Sequence, residues 1–100
     1  MEIKVVDYND SILNDIIILG KKNAKTLGMF PEGAFIDHAK KKCIIAAIEN
    51  DKLLGYVLFR ITQSKGIVSI AHLCVDLENR NKGVAKLLLD SVKNKYQHLF

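Results

Sequence analysis

With 100 residues, 49% of them hydrophobic and 26% charged, the chain is neither disordered nor fibrous and predicts one domain over residues 1–100. It lacks an apolar run of the ~20 residues that cross a bilayer, and it lacks a secretory signal, so we expect a cytoplasmic protein without a membrane partner. A net charge of +4 favours an anionic ligand, but no aromatic residues interleave with the basic clusters, so nucleic acid is not an expected partner.

The first part of the sequence predicts a strand followed by a helix. Residues 3–6 alternate in polarity and are partly β-branched, which is typical of a short strand. Asn9, Asp10 and Ser11 offer helix N-caps, and apolar residues then recur at helical spacing over residues 13–27. Gly28 predicts the end of this helix. Gly20 costs about 1 kcal/mol relative to Ala inside a helix, so the sequence allows a kink or a split at this position.

The remaining elements are a second helix, three strands and a last helix. The second helix is predicted over residues 34–40. A near-continuous apolar run over residues 43–48 indicates a strand buried on both faces. Further strands are predicted over residues 53–62 and 66–75. The last helix begins near Gly83. Its mostly apolar stripe recurs at helical spacing and consists of Val84, Leu87, Leu88, Ser91, Val92 and Tyr96.

The most informative segment joins the last predicted strand to the last helix, over residues 73–89. An apolar strand is followed by a polar loop with Arg80, Lys82 and Gly83, and then by the first turn of an amphipathic helix. Such a junction directs unpaired backbone N–H groups and the positive end of the helix dipole to one spot, which predicts a phosphate site. The alternative is a plain connection with a solvated basic edge.

This segment resembles the acetyl-CoA pyrophosphate loop of the GNAT superfamily of N-acetyltransferases. The family signature is Arg or Gln, two variable residues, Gly, one variable residue, then Gly or Ala, and the chain has Arg80-Asn81-Lys82-Gly83-Val84-Ala85. Asn81 stands where many members carry Gly. The order of elements, β-α-α-β-β-β-α, resembles the N-terminal portion of the same fold.

The resemblance implies an α/β, GNAT-like fold with a mixed sheet flanked by helices. It also implies that acetyl-CoA is the co-substrate. The residues it assigns to coenzyme binding are Leu73, Val75, Arg80, Asn81, Lys82, Gly83, Val84, Ala85 and Lys86.

As the resemblance implies, the expected function is transfer of an acetyl group from acetyl-CoA to a primary amine by direct attack. The oxyanion would be stabilised by a backbone N–H of the fourth strand, at Val75 or a neighbour. The sequence does not identify the amine acceptor. Two alternatives stay open: a non-catalytic acyl-CoA-binding or protein-interaction module, and a small basic nucleic-acid binder.

The sequence does not identify the general base. His72 is the candidate, because it is titratable and lies on the fourth strand. Strict alternation, however, places His72 on the same face as Cys74. In family members that use a side-chain base, the acceptor amine is faced by the positions of Ala71 and Ser69, on the opposite face. His72 is therefore expected to be a packed or surface residue.

The cysteines are expected to be reduced, buried and inert. Cys43 and Cys74 both lie in apolar predicted strands, where unreactive thiols are the norm. The absence of an export signal favours a reducing compartment. Their spacing relative to the histidines matches no recognised zinc pattern, so no metal site is predicted.

The resemblance stops before the C-terminal part of the family fold. GNAT members continue with a fifth strand, a fourth helix and two more strands, and the pantetheine arm lies between the fourth and fifth strands. We therefore expect either that the sequence is a piece of a longer protein or that a partner chain supplies the missing wall. An uncovered fourth strand is an exposed pairing edge, which predicts self-association.

Overall fold

The computed structural model describes residues 1–28 and 30–96 of the chain. Within these residues, no helix is both long enough and apolar enough to span a membrane. The strands are β1 (Glu2–Val5), β2 (Ile44–Glu49), β3 (Lys52–Thr62) and β4 (Ile67–Val75). The helices are α1 (Ile12–Lys22), α2 (Ala24–Leu27), α3 (Glu32–Lys40) and α4 (Val84–Lys95), with short 3-10 turns at Gln63–Lys65 and Leu77–Asn79.

The four strands form one sheet in the order β1-β2-β3-β4, and all three pairings are antiparallel. The β2–β3 hairpin turns through Asn50 and Asp51, whose φ angles of 52° and 61° are those that a tight hairpin requires. β2 is buried over Ile44–Ile48, as its apolar run predicted. The predicted α/β class and the order of elements are confirmed. The sheet was predicted to be mixed, but over the described residues it is entirely antiparallel.

Helices cover both faces of the sheet and create two layers of core. On one face, Ile16 of α1 and Phe35 of α3 pack with Tyr56 of β3. On the other face, Leu88 of α4 packs with Phe59 of β3. The predicted stripe of α4 is wrong at one position. Leu87 is 44% exposed, because the contact with the sheet uses Val84, Leu88 and Val92.

The first helix is interrupted at Asn23, and Gly20 lies inside α1. The split that the sequence allowed at Gly20 is instead found at Asn23. A Cβ on Gly20 would lie 2.7 Å from Cζ of Phe35 and 2.8 Å from the hydroxyl oxygen of Tyr56. The glycine is thus required by close packing of α1 onto the core.

β4 lies at the edge of the sheet, with β3 as its partner on one side. Ile67 and Ile70 on this strand are substantially exposed. Exposed edge strands with apolar side chains are sites of pairing between chains. Self-association through β4 stays a prediction from the sequence.

Candidate coenzyme-binding site

The loop between β4 and α4 reverses direction through two residues in the left-handed region. After the 3-10 turn at Leu77–Asn79, Arg80 is extended, with φ −71° and ψ 154°. Asn81 has φ 64° and Gly83 has φ 80°. Gly83 is the N-cap of α4. Asn and Gly are the residues that adopt this conformation most readily, so the sequence of the loop fits its geometry.

This loop and the first turn of α4 present a run of backbone donors. The first helical bond of α4 is donated by the Leu87 N–H to the Gly83 carbonyl, at 3.1 Å. Among residues 1–28 and 30–96, no group accepts a hydrogen bond from the N–H groups of residues 81–86. These amides add to the positive end of the α4 dipole, and together they form an environment that favours an anion.

The free edge of β4 contributes further donors. The Asp76 N–H donates to the Leu54 carbonyl at 2.8 Å. The backbone N–H of Asp76, and that of Cys74 two residues before it, therefore point toward β3. Because bonding direction alternates along an antiparallel pair, the N–H groups of Leu73 and Val75 point away from β3. These N–H groups therefore point to the free edge of β4, the edge at which Arg80 of the loop bonds the Val75 carbonyl.

An open cleft of about 510 Å³ lies between the end of β4, the loop and α4. It is lined by Asn23, Thr26, Leu73, Cys74, Val75, Asn79, Arg80, Asn81, Gly83, Val84 and Ala85. The structure thus brings together all the residues assigned to coenzyme binding except Lys82 and Lys86. Asn23 at the α1–α2 junction and Thr26 within α2 were missed, because no local pattern links them to the loop.

Lys86 does not point into this cleft. Its Nζ lies 2.8 Å from a carboxylate oxygen of Asp90, one turn further along α4. This hydrogen bond raises the pKa of Lys86 and lowers the pKa of Asp90. Both side chains are solvent-exposed, so the pair contributes little to stability. Of the residues that line the cleft, the cation is Arg80.

Arg80 is fixed by two hydrogen bonds. Its Nε donates to the Val75 carbonyl at 3.0 Å. Its Nη2 donates to Oδ1 of Asn23 at 3.1 Å. The guanidinium therefore spans the distance from the free edge of β4 to the α1–α2 junction, along one border of the cleft.

Strict alternation places Ala71 on the face opposite His72, and the structure contradicts this placement. A β-bulge follows the pair Leu58–His72, because Phe59 pairs with Ile70 and Ala71 is the extra residue. Ala71 packs against the same core cluster that contains Cys74, so Ala71 and His72 lie on the same face. Alternation fails at a bulge, and the sequence gives no signal for it.

His72 is a buried residue in an aromatic cluster. It is 7% exposed, and its Nδ1 lies 3.2 Å from the hydroxyl of Tyr56. Its ring centroid lies 4.6 Å from that of Phe30 and 6.1 Å from that of Phe35. It is not among the residues that line the cleft. These contacts favour a packing role over that of a general base.

Both cysteines are free and buried. Burial raises the pKa of Cys43 and of Cys74 above the ordinary value of 9.0, and nearby lysine or arginine side chains only partly oppose this. A thiol with a raised pKa is protonated at neutral pH and is a poor nucleophile. Among the described residues, no group of three or more His, Cys, Asp or Glu side chains is arranged to hold a metal ion.

The buried thiols predict a loss of stability at alkaline pH. Because burial raises the pKa of both thiols, they ionise at a higher pH in the folded protein than in the unfolded chain, where ionisation sets in near pH 9. The free energy of unfolding should therefore fall as pH rises, by at most about 1.4 kcal/mol per thiol and pH unit. Urea unfolding at pH 7.5, 9 and 10 measures this. The Cys43→Ala/Cys74→Ala double variant should show a shallower decline, and an identical decline would contradict the assignment.

Comparison with known proteins places this geometry in a family. A family model described as an acetyltransferase (GNAT) domain matches residues 31–99. No curated protein matches the sequence. The structure is similar to N-acetylglutamate synthase from Neisseria gonorrhoeae in complex with coenzyme A and N-acetyl-glutamate, with a TM-score of 0.84 and 15% identity. That alignment covers 98% of this chain and 23% of the synthase.

Two further structures share the fold. A Mycobacterium tuberculosis protein in complex with CoA has a TM-score of 0.82 at 16% identity, over 99% of this chain and 59% of that one. Ribosomal-protein-alanine N-acetyltransferase from Brucella melitensis has a TM-score of 0.72 at 19% identity, over 97% of this chain and 72% of that one. The chain thus spans less than two thirds of the first two structures. On the match of the family model and the shared fold, the chain belongs to the GNAT acetyltransferase family.

Proposed function

We propose that this domain binds acetyl-CoA in the cleft between β4 and α4 and takes part in transfer of the acetyl group to a primary amine. The observation that carries the proposal is the run of acceptor-free amides at residues 81–86, which opens onto the same cleft as the free edge of β4. The two CoA-bound structures that share the fold add support. The buried free thiols fit a reducing compartment, so the proposal includes a cytoplasmic location.

The chain's own groups fit the chemistry of a pyrophosphate and a pantetheine arm. The amides of residues 81–86 would bind the diphosphate, because a helix N-terminus supplies both donors and positive potential. A Cβ built on Gly83 would have no atom within 4 Å, so the space above the loop is open for a ligand. The outward amides of Leu73 and Val75 would bind the amide groups of the extended arm, as an added strand would.

In the proposed reaction, the amine nitrogen attacks the thioester carbon, a C–N bond forms and the C–S bond breaks. The charge that develops on the carbonyl oxygen would be stabilised by an outward N–H of β4, at Val75 or a neighbouring residue, that is not bonded to the pantetheine arm. The amine proton must leave to a base, and the thiolate must gain a proton. The lining of the cleft contains no carboxylate and no histidine, so the described residues supply no base in contact with it. His72, the weak candidate from the sequence, lies outside this lining, and the general base therefore stays unassigned.

A second candidate function is binding of an acyl-CoA without turnover. The absence of a base from the lining of the cleft favours it. The third candidate function is nucleic-acid binding. It predicts that affinity for nucleic acid falls steeply as salt rises and does not change when free coenzyme A is added.

The test of the proposed function combines calorimetry with a turnover assay on the full chain. Titration with acetyl-CoA should show saturable binding, and incubation with a panel of primary amines should release free thiol and form an N-acetyl product. Binding without thiol release for any amine would support the binding module instead. Failure to bind acetyl-CoA at all would refute both. Labelled single-stranded DNA, titrated at two salt concentrations, provides the comparison for the third candidate.

A further inference from the structure

Asn23 uses both ends of its side-chain amide to join distant parts of the fold. Its Nδ2 donates to the Leu19 carbonyl at 2.9 Å, at the C-terminal end of α1. Its Oδ1 accepts from Nη2 of Arg80 at 3.1 Å. The two bonded residues are 57 positions apart in the sequence. Asn23 itself is the residue at which α1 stops, before α2 begins.

The Arg80 guanidinium is planar, and its donors are held in a fixed arrangement. One donor is bonded to the Val75 carbonyl and another to Asn23. While both bonds are made, the guanidinium plane cannot rotate freely. Arg80 and Asn23 both line the cleft, so the bond between them closes one border of it.

We infer that Asn23 is a positioning residue that holds Arg80 at the border of the cleft and couples the α1–α2 junction to the loop at residues 80–83. The inference rests on the proposed function, because the ligand for which Arg80 is positioned is the diphosphate of coenzyme A. Because Arg80 is already held in place, its side chain loses little further conformational freedom when it contacts a bound anion. That loss of freedom would otherwise oppose binding.

A local role is the competing explanation. The bond from Nδ2 to the Leu19 carbonyl satisfies a carbonyl at the end of α1, and it needs no partner in the loop. If that were the whole function of Asn23, removal of Arg80 would not change the effect of an Asn23 substitution. A double-mutant cycle separates the two explanations.

The experiment measures coenzyme A affinity by calorimetry for the wild type, Asn23→Ala, Arg80→Ala and the double variant. We expect Asn23→Ala to weaken binding about threefold to tenfold, a range typical of one charge-assisted hydrogen bond at an exposed site. In the Arg80→Ala background, Asn23→Ala should have no further effect. Asn14→Ala is the matched control, because Asn14 is an exposed residue of α1 outside the lining of the cleft, and its affinity should be unchanged.

A second readout does not depend on coenzyme A. Asn23→Asp keeps an oxygen that accepts from Arg80 and loses the donor to the Leu19 carbonyl. If the bond to Arg80 matters, Asn23→Asp should recover the thermal midpoint lost in Asn23→Ala, and it should do so only when Arg80 is present. The carboxylate also faces the Leu19 carbonyl at the end of α1, so the comparison is made in both backgrounds. A difference between the Asp and Ala midpoints that is the same with and without Arg80 would overturn the coupling.

The possible failures are distinguishable. If the wild type binds coenzyme A and the two substitutions are additive, the positioning role is overturned and the proposed function stands. If the wild type does not bind coenzyme A, the proposed function fails, and the role of Asn23 toward a diphosphate fails with it. Affinity losses that are non-additive, together with recovery by Asn23→Asp, support the inference.

Discussion

Replacement of Gly83 by Asp is expected to weaken coenzyme A binding by at least about a hundredfold, which corresponds to roughly 2.7 kcal/mol. Gly83 has φ 80°, where an L side chain is strained, and it is the N-cap of α4. The new carboxylate would project into the open space above the loop, where it competes with the diphosphate for the amides of residues 81–86. It would also repel the phosphates. Calorimetric titration of the variant measures the loss.

Two control variants separate the possible causes of that loss. Gly83→Asn has nearly the same shape and tolerates the left-handed region, but it carries no charge, so its affinity should fall much less. Lys93→Ala lowers the net charge by the same amount as Gly83→Asp, at the opposite end of α4, and its affinity should stay within about twofold of the wild type. Unchanged affinity in Gly83→Asp, with intact folding, would refute the phosphate site.

Replacement of Gly55 by Ala is expected to lower the free energy of unfolding by roughly 2–3 kcal/mol, at the upper end of the usual cost of overpacking. A Cβ at this position would lie 2.7 Å from the Cys74 carbonyl oxygen and 3.1 Å from Cα of Val75. Both atoms are backbone atoms of β4, so no side-chain rotation relieves the clash. Gly55 pairs with Val75 at the end of β4 that borders the cleft. The strand must therefore move, and coenzyme A affinity should fall together with stability.

The matched control for Gly55→Ala is Gly33→Ala. Gly33 lies in α3, and a Cβ there would have no atom within 4 Å. Alanine is the better helix former, so this substitution should raise the free energy of unfolding by up to about 1 kcal/mol. Urea unfolding of both variants gives the comparison. Equal stability of Gly55→Ala and the wild type would show that the β3–β4 contact is looser than the structure has it.

The sequence alone predicted the order of the elements and the position of the loop. Local features encode both. The spacing of apolar residues sets whether a segment is strand or helix, and a polar loop with Gly83 before an amphipathic run sets where the N-terminus of α4 lies. Their bounds differ from the prediction by one or two residues at most ends, because helix and strand ends depend on capping and pairing.

The tertiary structure decided what surrounds that loop. The bulge at Ala71 places Ala71 and His72 on the same face of β4, which strict alternation does not allow. The break between α1 and α2 places the side-chain amide of Asn23 within hydrogen-bonding distance of Arg80. Lys86 is paired with Asp90 and does not line the cleft. Most of these outcomes depend on strand register, or on atoms that approach only when segments far apart in the chain pack together. Local periodicity carries no information about either, which is why only the folded structure reveals how the cleft is built.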